Sequence, residues 1–333
     1  MLKVSLSMVL ALSLASSGYL YATPAQQVDQ QNTIPPLTSC NQSEKVNELF
    51  SRFGSTGKMS PTLSTWLNDP DIQSIEPYQV FDNVYNVGVC WVSAWLINTS
   101  DGLILIDSLY EPYTEKMLKN VTKLGFDPAD IKMVLLTHGH FDHVGGVDWL
   151  KKNTNAKFVM TKKGWEESRQ DAKRSKGRPN EWRLPPQADV LINDGDVVTL
   201  GDTNIYVYET PGHTWGTASY AFDVKDGDNT YRAITIGGLG LNAIDGPEQV
   251  VAYVNSVDRI KSLVQAKDNP VSIHLTAHPF STGMSEARSE LLNRKPGQPH
   301  PLNDRNALLQ QLETLRAGAM ARLARETAKT GKH

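Results

Sequence analysis

Residues 137–146 read Thr-His-Gly-His-Phe-Asp-His-Val-Gly-Gly and place His138, His140, Asp142 and His143 within six positions. The chain has 8 histidines in 333 residues, so three of them here mark a built cluster rather than an ordinary polar loop. Gly139 adds no side chain and lets the backbone turn tightly, so the imidazoles of His138 and His140 can converge on one point while Asp142 and His143 face a second. Neutral imidazole and carboxylate suit zinc, and a site that keeps coordination positions open is catalytic rather than structural.

Such ligands need rigid elements behind them. Residues 132–136, Lys-Met-Val-Leu-Leu, form an apolar run short enough to be a buried strand, which sets the cluster at a strand end. His213, in the turn Thr-Pro-Gly-His-Thr-Trp-Gly, follows the alternating run 204–208, and His278 closes the run 271–278 just before Pro279. Ligands of α/β sheets gather at such strand ends. His274, inside the last run, reads as a packed or surface histidine, and His300, in a Pro-rich loop, and His333, at the terminus, read as solvent-exposed.

The remaining pattern alternates strands with helices. Strands are expected at 78–81, 84–89, 91–97 and 103–106, the last two joined at Asp101-Gly102, and again at 157–160, 204–208 and 231–236. Helices are expected at 113–124, 147–152, 248–265 (with Val251, Val254, Val257 and Ile260 on the core face) and 305–329. Asp194-Gly195 reads as another hairpin turn. The stretch 164–186 carries Lys173, Arg174, Lys176, Arg178, Trp182 and Arg183; it is either a solvated loop or a rim that attracts an anionic substrate. Asp107, closing the strand 103–106, either caps the following turn or holds a ligand histidine.

The first 22 residues read as a secretory signal, with Lys3 ahead of an apolar core at 4–14 and Ala22 at the cleavage point, which implies the periplasm. Residues 23–76 form an N-terminal arm with one short helical turn at 47–53, and 77–333 one large α/β domain with a C-terminal helical extension. No later segment has about 18 consecutive apolar residues, so no membrane association is expected after cleavage. With 33 Lys+Arg against 36 Asp+Glu there is no basic surplus for nucleic acid. Cys40 and Cys90 are the only cysteines. Export favours a disulfide over two free thiols, and their distance in sequence from the histidines argues against zinc ligation.

His-Gly-His-Phe-Asp-His at 138–143 resembles the signature of the metallo-β-lactamase superfamily. The resemblance implies an α/β four-layer αββα sandwich with metals at one end, and a Gly-His-Thr-x-Gly ligand loop that matches His213. Residues 77–97 resemble the first hairpin of third-subclass metallo-β-lactamases. Some of those carry a cysteine here bonded to one in the arm, which implies a Cys40–Cys90 pair. That subclass implies two Zn2+ per chain, one on His138, His140 and His213 and one on Asp142, His143 and His278, with Asp142 also orienting the attacking hydroxide. Lowering the pKa of water from about 15.7 to about 7 corresponds to roughly 12 kcal/mol, so neither serine nor cysteine is needed as nucleophile.

Two departures bear on substrate. Glyoxalase-type and lactonase-type hydrolases carry a metal-bridging aspartate where this chain has Leu239, which favours the lactamase branch. Third-subclass enzymes place serines in that loop to hold a substrate carboxylate, where this chain offers Leu239, Leu241 and Asn242; Trp215 replaces a common proline. The expected activity is hydrolysis of the β-lactam ring amide by a monomer, giving antibiotic resistance. The alternatives are hydrolysis of another ester or lactone at the same site, and a non-catalytic envelope binding protein.

Overall fold

The computed structural model describes residues 36–330 apart from 179 and 296; the expected signal, residues 23–35 and His333 lie outside them. Two sheets are present. The first runs β1 (Tyr78–Phe81), β2 (Val84–Asn86), β3 (Trp95–Thr99), β4 (Gly102–Ile106), β5 (Ile131–Leu135), β6 (Lys157–Thr161) and β7 (Val190–Ile192), in that spatial order. Its strands are antiparallel as far as β4 and parallel from β4 to β7. The second comprises β8 (Val197–Leu200), β9 (Thr203–Glu209), β10 (Ala218–Asp226), β11 (Asn229–Thr235) and β12 (Val271–His274), ordered β12-β11-β10-β9-β8 with β11 and β12 parallel.

The sheets pack face to face because alternate residues on both are apolar. Trp95, Ile97, Ile104 and Ile106 of the first meet Val207, Tyr220, Phe222 and Ile273 of the second in one buried core. Helices cover the outer faces. On the second sheet, Ala221 and Ile234 pack with Val250, Tyr253, Val257 and Ile260 of α8 (Pro247–Val264) and with Leu308 and Leu312 of α10 (Arg305–Thr330). On the outer side of the first, Leu105, Val134 and Phe158 are buried together with Met117 and Val121 of α4 (Tyr113–Lys123) and Leu150 of α6 (Val147–Asn153). This is the four-layer αββα arrangement. The other helices are α1 (Ser43–Thr56), α2 (Pro61–Asn68), α3 (Pro70–Gln73), α5 (Phe141–Val144), α7 (Lys162–Ser175) and α9 (Met284–Asn293). Among the described residues, none is long and apolar enough to cross a membrane.

The structure corrects several expectations. Residues 47–53 belong to a helix of 14 residues, α1, rather than one turn, because Val46, Leu49 and Phe53 give it an apolar face. The basic stretch from 164 is not all loop. Its first half is α7, capped by Thr161 and anchored by buried Trp165. Asp194-Gly195 does not close a hairpin, because β7 and β8 lie in different sheets. The core face of α8 is set by Val250 rather than Val251, which is 44% exposed. His300 is buried rather than exposed: its Nε2 pairs with the Val80 carbonyl at 2.8 Å and its ring stacks on Phe81. A Pro-rich loop can fold back onto a sheet edge, and local polarity does not show it.

Candidate metal centre

Strand ends assemble the site. Asp107 follows directly on β4 and the adjacent parallel β5 leads into Thr137 and His138, so these backbones leave the sheet side by side. Asp107 adopts φ 66°, a left-handed conformation that is costly for a residue with a Cβ and that aims its carboxylate across to β5. There Oδ1 accepts Thr137 N–H at 2.8 Å and Oδ2 accepts the Thr137 hydroxyl at 3.0 Å and His143 Nδ1–H at 2.7 Å. The second sheet is latched on at this end. Ala218 N–H donates to Thr137 O at 2.8 Å, the Tyr220 hydroxyl to Leu136 O at 2.7 Å, and Trp95 Nε1–H to Thr276 O at 3.1 Å.

All six predicted ligands meet here, in two triads: His138 with His140 and His213, and Asp142 with His143 and His278. In the first, His138 Nε2, His140 Nδ1 and His213 Nε2 lie 3.1 to 3.2 Å from one another. A tetrahedral zinc with bonds of about 2.0–2.1 Å would hold its nitrogens about 3.3 Å apart, so the triad has the size of that coordination face. The outward nitrogens fix the tautomers. His213 Nδ1–H donates to Gly240 O at 2.6 Å, and the Thr137 hydroxyl, itself donating to Asp107, accepts from His138 Nδ1 at 3.2 Å. Both Nε2 lone pairs therefore point inward.

The second triad follows the same logic. His143 Nδ1–H is held by Asp107 and His278 Nδ1–H by the Trp91 carbonyl at 2.8 Å. His143 Nε2, fully buried, has no hydrogen-bond partner and sits 3.2 Å from Asp142 Oδ2, with His278 Nε2 at 3.7 Å from the same oxygen. An orphaned buried nitrogen between a carboxylate and an imidazole fits a cation.

Electrostatics without metal agree. Burial, reinforced by neighbouring histidines, pushes His138 well below its ordinary value, His213 down to about 3 and His278 down to about 4. Burial works against charge on His143 too, but Asp142 and Asp107 outweigh it and raise that imidazole to about 10. The carboxyl of Asp142 resists ionisation through burial, yet the adjacent His143 holds it below the usual carboxylate range. The donor set is thus poised for zinc once His143 gives up its proton.

Gly139 proves necessary for a reason other than turning. A Cβ there would lie 2.9 Å from Ser168 N of α7. Residues with no signal in the sequence complete the frame. Glu167 of α7 accepts Trp215 N–H and Gly216 N–H at 3.0 and 2.8 Å and so clamps the His213 loop. Trp91 stacks on His278 and donates from Nε1 to the Tyr110 hydroxyl at 3.1 Å. Leu239, Leu241 and Asn242 line a cleft of about 2520 Å³ that opens over both triads. Phe50, Phe53, Trp91, Tyr110, Phe141 and Phe280 give that cleft an aromatic wall, and α10 forms another. Trp182 and Arg183 reach its rim, with Arg183 paired to Glu181 at 3.1 Å.

The chain's fold is similar to that of BJP-1, a subclass B3 metallo-β-lactamase of Bradyrhizobium japonicum, with 30% identity, a TM-score of 0.67 and coverage of 78% of this chain and 97% of that one. The sequence model of the metallo-β-lactamase superfamily matches residues 87–226. This chain belongs to the metallo-β-lactamase superfamily. Its His-His-His and Asp-His-His triads match the subclass B3 pattern, and they make it a zinc-dependent hydrolase with a dizinc site. Within the superfamily it is 28% identical to the probable polyketide biosynthesis zinc-dependent hydrolase PksB of Bacillus subtilis over 203 residues, 60% of this chain and 76% of that one. It is 31% identical to a hydroxyacylglutathione hydrolase of Rhodopseudomonas palustris over 137 residues, 41% of this chain and 45% of that one, so it spans less than half the length of that relative. Cys40 and Cys90 form the disulfide that the resemblance implied.

Proposed function

We propose that the protein hydrolyses the carbonyl–heteroatom bond of an ester or lactone in a small molecule carrying apolar groups. The observation that carries this reading is the cleft over the two triads. One wall is aromatic, and the loop after β11 supplies Leu239 and Leu241 where a carboxylate-binding subclass B3 site has serines. Beside the triads, the aromatic wall and the two leucines suit an apolar body and leave the reacting group to the metals. Two zinc ions, when bound, supply a water ionised near neutral pH and an electrophile for the carbonyl.

The chain's own residues do the rest. Asp142 is the catalytic residue beyond its ligand role: kept ionised by His143, it accepts a hydrogen bond from the attacking water and so orients it. Asp107 and the Trp91 carbonyl hold His143 and His278 in the tautomer that leaves Nε2 free. Leu239, Leu241 and Asn242 contact the bound substrate, and the aromatic wall excludes bulk water from the Asp142 side. Relatives whose names are those of hydrolases acting on acyl conjugates support an ester-like substrate.

A second reading, hydrolysis of a β-lactam ring amide with antibiotic resistance, draws on the likeness to BJP-1 and on leucine at 239 in place of a bridging aspartate. The zinc-loaded full chain should be given a panel of lactones, aryl esters, penams, cephems and carbapenems. Chelator-sensitive turnover of lactones or esters at least tenfold above any β-lactam supports the first reading; the reverse ratio replaces it with the second. We place the enzyme in the periplasm, on the strength of the N-terminal signal pattern and the disulfide, and take a single chain as its working unit because both triads are built from one chain. Recovery from a periplasmic extract at the mass of one chain is the matching test.

A further inference from the structure

α10 lies wholly outside the segment 87–226 that carries the superfamily pattern, yet it reaches the supports of both metal subsites. Early in the helix, Gln311 Nε2–H donates to Ser281 O at 3.3 Å while its Oε1 accepts His274 Nδ1–H at 2.9 Å. Ser281 shares a 2.7 Å hydrogen bond with the Thr276 hydroxyl, whose oxygen accepts His278 N–H at 3.2 Å. About three turns further along, Arg322 donates to Ile244 O at 2.6 Å and to Leu241 O, and Glu326 holds its Nε–H at 2.6 Å.

The carbonyls that Arg322 grips belong to an irregular loop, residues 237–246, with little backbone pairing of its own. Gly240 sits in that loop next to Leu241, and its carbonyl orients His213 through the 2.6 Å bond from Nδ1–H. The Tyr253 hydroxyl donates to Leu239 O at 2.6 Å on the other flank. Among the described residues, α8 holds that loop through Tyr253 and through Gln249 Oε1, which accepts Asp245 N–H at 3.0 Å, Ser219 Oγ accepts Gly237 N–H at 3.2 Å, and α10 contributes the Arg322 guanidinium, whose two carbonyl partners flank the stretch that follows Gly240. A guanidinium suits two carbonyls at once because its donors form a rigid planar fork.

We propose that Arg322 is a positioning residue for the tri-histidine subsite, and that α10 braces the two metal subsites separately, Arg322 serving His213 and Gln311 serving His278. This rests on the dizinc centre and not on which bond the enzyme cleaves, so the test reads metal rather than turnover.

The experiment measures zinc affinity of the full chain by competition with a chromogenic chelator, in two backgrounds that each leave one triad whole: His278→Ala for the tri-histidine subsite and His213→Ala for the other. Arg322→Met keeps the aliphatic stem and removes the donors. It should weaken zinc about tenfold in the His278→Ala background and less than twofold in the His213→Ala background, at the low end of the about 10–100-fold cost of losing a partner that orients a ligand. It should also shift the visible bands of the cobalt-substituted tri-histidine subsite. Gln311→Met should show the opposite selectivity, and Arg322→Lys should recover most of the affinity. Equal weakening in both backgrounds, or no weakening with an unshifted cobalt spectrum, overturns the proposal. If Arg322→Met does not fold, Arg322→Gln, which loses the guanidinium fork but stays polar, takes its place with the same selectivity expected, and zinc binding by Arg322→Gln and Gln311→Met equal to that of their unmutated backgrounds overturns the proposal.

Discussion

Asp107 and His143, 36 residues apart in the chain, are joined by a 2.7 Å hydrogen bond inside a fully buried pair, and the same carboxylate fixes Thr137 and, through it, His138. One side chain on a strained backbone therefore sets the orientation of one ligand in each triad. Asp107→Asn keeps the shape but offers a poorer acceptor. Zinc affinity at the Asp142–His143–His278 subsite should fall by about 10–100-fold, read by chelator competition. An unchanged affinity there would remove Asp107 from the account.

Gly238 lies against His213. A Cβ at that position would come 2.4 Å from His213 Cβ and 2.6 Å from its ring. Gly238→Ala should therefore displace His213 and empty the tri-histidine subsite while leaving the second occupied, as measured by zinc content after dialysis. Retention of both ions would show that the loop gives way without cost.

The metal-free chain should be most stable near pH 6.5–7. An exposed histidine titrates near about 6.5. As pH falls below that, the unfolded chain takes up protons at His138, His213 and His278, whereas the folded chain resists until about 4 at His278 and about 3 at His213, so stability drops. His143 acts in the opposite sense. Raised to about 10 in the folded state, chiefly by Asp142 and Asp107 against the effect of burial, it contributes fully below about 6.5 and loses that contribution as pH climbs through 10. Urea unfolding of the chelated protein from pH 4 to 10 checks this, and stability that rises steadily toward pH 4 would contradict it.

The Cys40–Cys90 disulfide spans 50 positions and ties the segment before α1 to the loop ahead of β3. Closing a loop of that size constrains the unfolded chain by about 4 kcal/mol in the entropy model. Reduction, or Cys40→Ser with Cys90→Ser, should lower unfolding free energy by a few kcal/mol and leave zinc content intact, since both sulfurs lie outside the triads. Loss of zinc on reduction would tie the bridge to the centre itself.

The ligands were legible in the sequence because His138, His213 and His278 sit shortly after strands, where an apolar run gives way to Gly, Pro or Thr, with His140, Asp142 and His143 in the same short motif as the first. Asp107 was legible only as one of two possibilities, because a cap and a buried acceptor look alike until the partner 36 residues away is placed. Glu167, Trp91 and Arg322 left no local sign. The contacts by which they support the centre reach 48 to 187 residues away, and neither periodicity nor composition encodes such pairings. His300 and the helix α7 were misread for a related reason: both look polar locally and acquire their burial from the sheet they fold against.

The central claim is that six dispersed side chains hold two metal ions, three to each. Elemental zinc analysis of the folded, dialysed full chain tests it most directly, run on the parent and on His213→Ala, His278→Ala and His274→Ala. The account predicts two ions in the parent, one in each of the first two variants, and two in His274→Ala, whose ring pairs with Gln311 and belongs to neither triad. A single ion in the parent, or two ions retained without His213 or without His278, would contradict it.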